Sequence, residues 1–245
     1  MLLMNDPLNL LLLAGGAFVA STLAAVTGFG GAAVLLPILV LVFGIRDAIP
    51  ILTVAQLIGN GSRVWFNRRE LALPVVGWFA LGGVPAALVG GVLFASAPLS
   101  FLKRFLGIFL LGMVAYRHLG KQSLLKLPLR GFAVIGAVFS FLSALFGSVG
   151  PIMAPFFLAY GLIKGAYIGT EAFATVVMHV AKLLAYGGMS VLTLDGVIAG
   201  LALGPIMVLG SFIGKKILDR VPERLFVLLI EATLIIAGLG FLIFG

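Results

Sequence analysis

Two sets of polar side chains are spaced to share a helix face: Thr53, Gln56, Asn60 and Arg63, and then Glu171, Thr175, His179 and Lys182. Steps of three or four residues bring side chains to one side of a helix. Arg63 and Lys182 can hold an anion by charge, Gln56, Asn60 and Thr175 can hydrogen-bond it, and His179 and Glu171 can carry a proton, as can Glu231 further on. Plainer roles stand beside these. Both cations lie near span ends, from which long side chains reach the membrane interface. His179, Gln56 and Asn60 also fit as hydrogen-bonding glue between helices, and Glu171 and Glu231 as acids that hold a bundle together.

The surroundings weigh between the two. Of 245 residues, 62% are hydrophobic and 10% charged, whereas a soluble domain needs about 25% charged residues. Lipid is therefore the expected solvent. Apolar runs at 8–26, 75–97, 131–147 and 225–244 approach the roughly 20 residues that cross a hydrocarbon core. An ionisable side chain mid-span costs about 2.5–3.5 kcal/mol, so several of them in so apolar a chain call for a use. We read the two stripes as facing each other across a polar passage.

Two glycine clusters interrupt the apolar sequence, Thr27-Gly28-Phe29-Gly30-Gly31 and Gly147-Ser148-Val149-Gly150-Pro151. A helix broken at membrane depth must line a cavity or be buried in protein, because lipid cannot satisfy the freed backbone groups. The start of the following helix offers N–H groups and a partial positive charge, an anion site. The alternative is that these glycines only permit a tight turn or close packing.

The same inventory excludes other classes. No cysteine is present, so thiolate metal sites and a cysteine nucleophile are out. Gly28-Phe29-Gly30-Gly31 follows a hydrophobic helix and not a strand, and no P-loop lysine pattern occurs. Two histidines on separate spans make no metal site. We expect no enzyme, no cofactor and no metal. The net charge of +8 is assigned to loops that set orientation and not to a nucleic-acid partner. The first segment lacks a positively charged leader and is expected to stay in the protein.

Laid over itself at a shift near 119, the chain matches Gly31 with Gly150, Pro37 with Pro155, Arg46 with Lys164, Ala48 with Ala166, Pro85 with Pro205 and Gly90 with Gly210. Gln56 then meets Thr175, Asn60 meets His179 and Arg63 meets Lys182. The expected organisation is one all-α transmembrane domain over 1–245, with repeat one at about 8–120 and repeat two at about 128–245. About ten segments follow, at 8–27, 31–45, 48–66, 73–97, 101–117, 131–148, 150–163, 165–187, 194–214 and 225–244. If 31–45 and 150–163 both cross, twelve lysines and arginines fall on one face and three, Arg46, Lys103 and Arg104, on the other. If both return to the side they entered, the split is seven to eight and the signal vanishes. The first arrangement places both termini outside the cytoplasm. Five spans per unit invert the second copy relative to the first, a transporter arrangement.

These features resemble the sulfite exporter TauE/SafE family of membrane transporters. The resemblance is carried by Gly28-Phe29-Gly30-Gly31 with Pro37 and Ala48, and by the degenerate copy Gly147-Ser148-Val149-Gly150 with Pro155, Ala166 and Gly169-Thr170, and it covers nearly the whole chain. Ala32 and Pro151 stand where the family often has a further glycine. The resemblance implies a secondary carrier of sulfite, sulfonate or sulfoacetate in the bacterial inner membrane, in either direction. The expected substrate contacts are Thr27, Gly28, Gly30, Gly31, Gln56, Asn60, Arg63, Gly147, Ser148, Gly150, Thr175, His179 and Lys182. His179, Glu171 and Glu231 are candidates for a coupling proton. A passive anion channel and a scaffold without substrate are the competing classes, and both a monomer and a homodimer fit.

Overall fold

The structure, a computed structural model, describes residues 6–98, 127–147, 149–222 and 225. The expected segment 101–117, nearly all of 225–244, and the side chains of Ser148 and Glu231 lie outside the described residues.

Among those residues every regular element is a helix: α1 Pro7–Thr27, α2 Gly31–Phe43, α3 Ile45–Phe66, α4 Leu73–Ser96, α5 Gly131–Phe146, α6 Gly150–Ala159, α7 Lys164–Gly188, α8 Leu194–Ala202 and α9 Gly204–Arg220. Pro7–Thr27, Leu73–Ser96, Lys164–Gly188 and the joined stretch Leu194–Arg220 are long and apolar enough to cross a membrane. The sequence expectation of one helix over 194–214 meets a break at Leu203. Pro205 follows it, and a proline ring displaces the carbonyl four residues earlier. The segment expected at 150–163 is helical only to Ala159. At 1.5 Å per residue, the 13 residues of α2 rise ~20 Å and the 10 of α6 ~15 Å, less than the ~30 Å core.

Local chemistry accounts for the breaks. Asp6 caps α1 by accepting the Leu8 N–H at 2.9 Å. The helix ends where Gly28 turns left-handed at φ +86° and gives its N–H to Ala24 O at 2.9 Å. α5 ends the same way, with Gly147 at φ +79° donating to Ser143 O at 2.9 Å. Left-handed backbone costs any residue with a Cβ, so glycine stands at both.

Packing fixes the directions. α2 folds back along α1, since Gly31 lies against Ala20 and Ala24 while Gly16 lies against Leu35 and Ile38. After Gly44 the chain turns again, and α3 runs back along α2, with Gln56 against Gly31. α4 lies alongside α5 in parallel register, Gly82 on Ala133 and Gly90 on Phe141 and Ala144; α9 lies parallel to α1, Gly210 on Phe18 and Ser21, Gly214 on Thr22 and Ala25. Small residues let these backbones approach closely. α3 and α7 run opposite ways, because Arg63 pairs with Glu171 whereas Asn67, one turn further on, touches Gly169.

Three apolar clusters form among the described residues, the smallest around Phe94, Phe146 and Tyr186, and the two larger ones each span both halves. One joins α1, α2 and α3 to Ala199, Leu203 and Met207 of the α8–α9 stretch. The other joins α5, α6 and α7 to Val75, Phe79 and Ala87 of α4. Each half thus completes its core with a helix from the other. Leu11, Leu41, Leu184 and Leu194 are all more than 60% exposed, as expected of a surface in contact with lipid tails.

Candidate functional site

The two glycine breaks meet. A Cβ on Gly150 would stand 2.9 Å from Phe29 Cβ and 3.9 Å from Gly30 N. Around this junction is a cavity of about 40 Å³, lined from both halves by Gly28, Gly30, Gly31, Gln56, Asn60 and Arg63, and by Gly147, Gly150, Glu171, Thr175 and His179. A single water needs about 10–15 Å³ on this measure, so the space suits a small ion or a few waters.

α2 starts at Gly31 behind Gly30, a left-handed glycine that gives no side-chain cap. Val34 N–H bonds to Gly30 O at 3.0 Å, and the start of the helix leaves the N–H groups of Gly31 and Ala32 without an intrahelical acceptor. α6 starts differently. Pro151 has no N–H, and the Ile152 and Met153 N–H groups both bond to Val149 O at 3.1 Å.

Arg63 is buried and anchored on three sides. Its Nη1 donates to Ala24 O at 3.0 Å and Gly28 O at 2.9 Å, and its Nη2 donates to Asn60 Oδ1. Those carbonyls close the last turn of α1, the negative end of the helix dipole, where a cation is stabilised. Glu171 Oε2 stands 3.5 Å from Arg63 Nη1, and Thr175 Oγ1 donates to Glu171 Oε1 at 3.1 Å. Lys182 takes the matching place in the second half, its Nζ donating to Ser143 Oγ at 3.2 Å. Ala24 and Ser143 are themselves 119 residues apart, the spacing of the repeat.

Among the described residues, Gln56 Nε2, His179 Nδ1 and Glu171 Oε2 are buried without a hydrogen-bond partner. All three residues line the cavity. Buried polar atoms are seldom left unpaired, so each marks a place for a partner.

Of the expected contacts, Thr27 and Lys182 are buried but do not line the cavity. The Thr27 hydroxyl is used by the break itself, lying 3.0 Å from Leu23 O and 2.9 Å from Phe29 O. Lys182 reaches the cavity only through Ser143, which does line it. The expected contacts do not include Ser143, Met153 or Met178, which also line the cavity, together with Ala24, Phe29, Ala32 and Val149. Ser143 could have been found from its place four residues before Gly147, opposite Ala24 in the repeat. The methionines carry no polar signal to find.

A family model described as Sulfite exporter TauE/SafE matches residues 12–241. No curated protein and no solved structure matches the chain.

Proposed function

This chain belongs to the sulfite exporter TauE/SafE family, a family of membrane transporters for sulfur-containing anions, and we propose on that premise that it is a secondary carrier working by alternating access in the bacterial inner membrane. The observation that carries the reading is the junction of two broken helices at one polar cavity built from both halves. An oxyanion there would meet the open N–H groups of Gly31 and Ala32, the unpaired Gln56 amide and the Arg63 guanidinium, and charge-assisted bonds of this kind are the strong ones. His179 and Thr175 face it from the opposite half. Lys182 contributes its charge from behind Ser143. Gly28, Gly30, Gly147 and Gly150 shape the space, and Thr27 holds the first break.

Two inverted repeats, at about 8–120 and 128–245, form the scaffold we propose. The reading is supported by the opposite directions of α3 and α7, and by the exchange in which α4 packs along α5 while α9 packs along α1. A hairpin such as α1–α2 or α5–α6 returns the chain to the side it left, whether its tip crosses the bilayer or turns inside it. We place the loops on the sides where twelve positive residues oppose three, which puts both termini in the periplasm. Rocking of one half against the other would expose the cavity to each face in turn.

Purified protein in proteoliposomes should accumulate sulfite, or a sulfonate such as methanesulfonate or sulfoacetate, against its gradient when an opposing gradient is imposed. Flux that only equilibrates would make the protein a channel, and the absence of flux and binding would leave a scaffold. Glu171 and His179 are the cavity groups able to carry a coupling proton, with Glu231 a further candidate. Uptake indifferent to an imposed pH gradient would remove proton coupling from the proposal.

A further inference from the structure

The Arg63–Glu171 pair joins α3 of the first half to α7 of the second at the wall of the cavity, and its two members are held very unequally. Arg63 has three anchors besides the acid: the carbonyls of Ala24 in α1 and of Gly28 at its end, and the Asn60 side chain. Glu171 has one, the Thr175 hydroxyl on its Oε1, while Oε2 faces Arg63 at 3.5 Å with no hydrogen bond to any described residue. A guanidinium can serve a carboxylate and several other acceptors at once only while donors remain. The groups around the acid sharpen the contrast. α1, α4, α5 and α6 contain no ionisable residue, so among the described residues the ionisable groups beside Glu171 are Arg63 across the helix pair and Tyr167 one turn away on α7 itself; His179 and Lys182 stand two and three turns further along α7. Lys182 is tied to Ser143 and does not line the cavity.

We propose that Glu171 is a tethered stand-in for the transported anion. In the empty site its carboxylate occupies the cavity side of Arg63 and latches the two halves together; an entering oxyanion takes that position, displaces Glu171 and opens the latch. The proposal rests on the transport reading and adds to it the event by which substrate biases the conformational change. A ligand shifts such an equilibrium only through different affinities for the two states, and exchanging a cross-half ion pair for a contact between Arg63 and substrate supplies that difference. Arg63 stays in place because its anchors belong to its own half, whereas Glu171 leaves because its anchor moves with α7.

The test measures binding of methanesulfonate, thiosulfate and sulfite to the detergent-purified full chain in wild type, Glu171→Gln and Glu171→Asp. With the competitor removed, E171Q should bind the preferred anion at least tenfold more tightly. E171D keeps the negative charge but draws it back by one bond of about 1.5 Å, beyond reach of Arg63, so it should also bind more tightly than wild type. Unchanged or weaker binding by E171Q overturns the latch. So does tight binding by E171Q with E171D at the wild-type level, which is the signature of a general field effect. If wild type binds none of the three anions, the transport reading falls and this inference falls with it; if wild type binds and E171Q gains nothing, only the latch is lost.

Discussion

α2 and α6 begin at equivalent places in the repeat and arrive at the same cavity with unequal chemistry. α2 opens with Gly31 and Ala32, whose N–H groups are available. α6 opens with Gly150 followed by Pro151, which has no N–H, while Val34 and Met153 bond alike to the residue before each helix. The third helices diverge in the same direction. α3 brings a guanidinium to the cavity wall, whereas the equivalent Lys182 on α7 is drawn off to Ser143, and α7 contributes an acid instead. In the reading proposed above, the first half holds the anion and the second closes over it, although both breaks turn on the same left-handed glycine, Gly28 in one and Gly147 in the other.

The largest expected effect tests whether the two breaks tolerate change equally. Gly28→Ala adds a Cβ that runs into the Tyr167 ring at φ +86°, combining left-handed strain with overpacking for a loss of about 2–5 kcal/mol. Gly147→Ala at φ +79° meets nothing nearer than 3.3 Å and should lose only about 1–2 kcal/mol. Denaturation midpoints of the two variants in detergent would separate them. Equal losses would mean that the first break is no tighter than the second.

Next is the division between the two cations. Arg63→Gln should weaken anion binding by about 100-fold, the scale of one or two hydrogen bonds to a charged group, and Lys182→Gln by about tenfold or less. Isothermal titration would read both. A larger loss at Lys182 would reverse the roles assigned to the halves. The smallest effect exchanges the two helix starts. Ala32→Pro copies the Gly-Pro start of α6, whose backbone already accommodates it, and by removing one N–H should weaken binding by about tenfold. Pro151→Ala, which restores an N–H to α6, should tighten it by about threefold or less if the second start contributes little.

Much of this was legible in the residues. The helical stretches, the two glycine breaks, and the polar faces of α3 and α7 emerged from periodicity and composition, and their boundaries agree with the structure to within a few residues at α1, α3 and α4. The break at Leu203 was less visible, because Pro37, Pro50, Pro85 and Pro155 all lie inside continuous helices of the same chain. The cavity was half legible. Gln56, Asn60, Arg63, Glu171, Thr175 and His179 do line it, but Thr27, expected there from its place in the break, bonds the break itself. The direction taken by a hydroxyl depends on a local turn geometry that spacing does not encode.

By itself the sequence determined that the chain is helical and lipid-solvated, where its helices are interrupted, and which polar side chains share a helix face, because these follow from local periodicity, glycine placement and the cost of charge in hydrocarbon. Only the tertiary structure decided that the two breaks touch, that Arg63 faces an acid more than a hundred residues away while Lys182 faces a hydroxyl, and that each half borrows a helix from the other. Those outcomes depend on how close packing rotates and aligns whole helices, a collective property that no single segment carries.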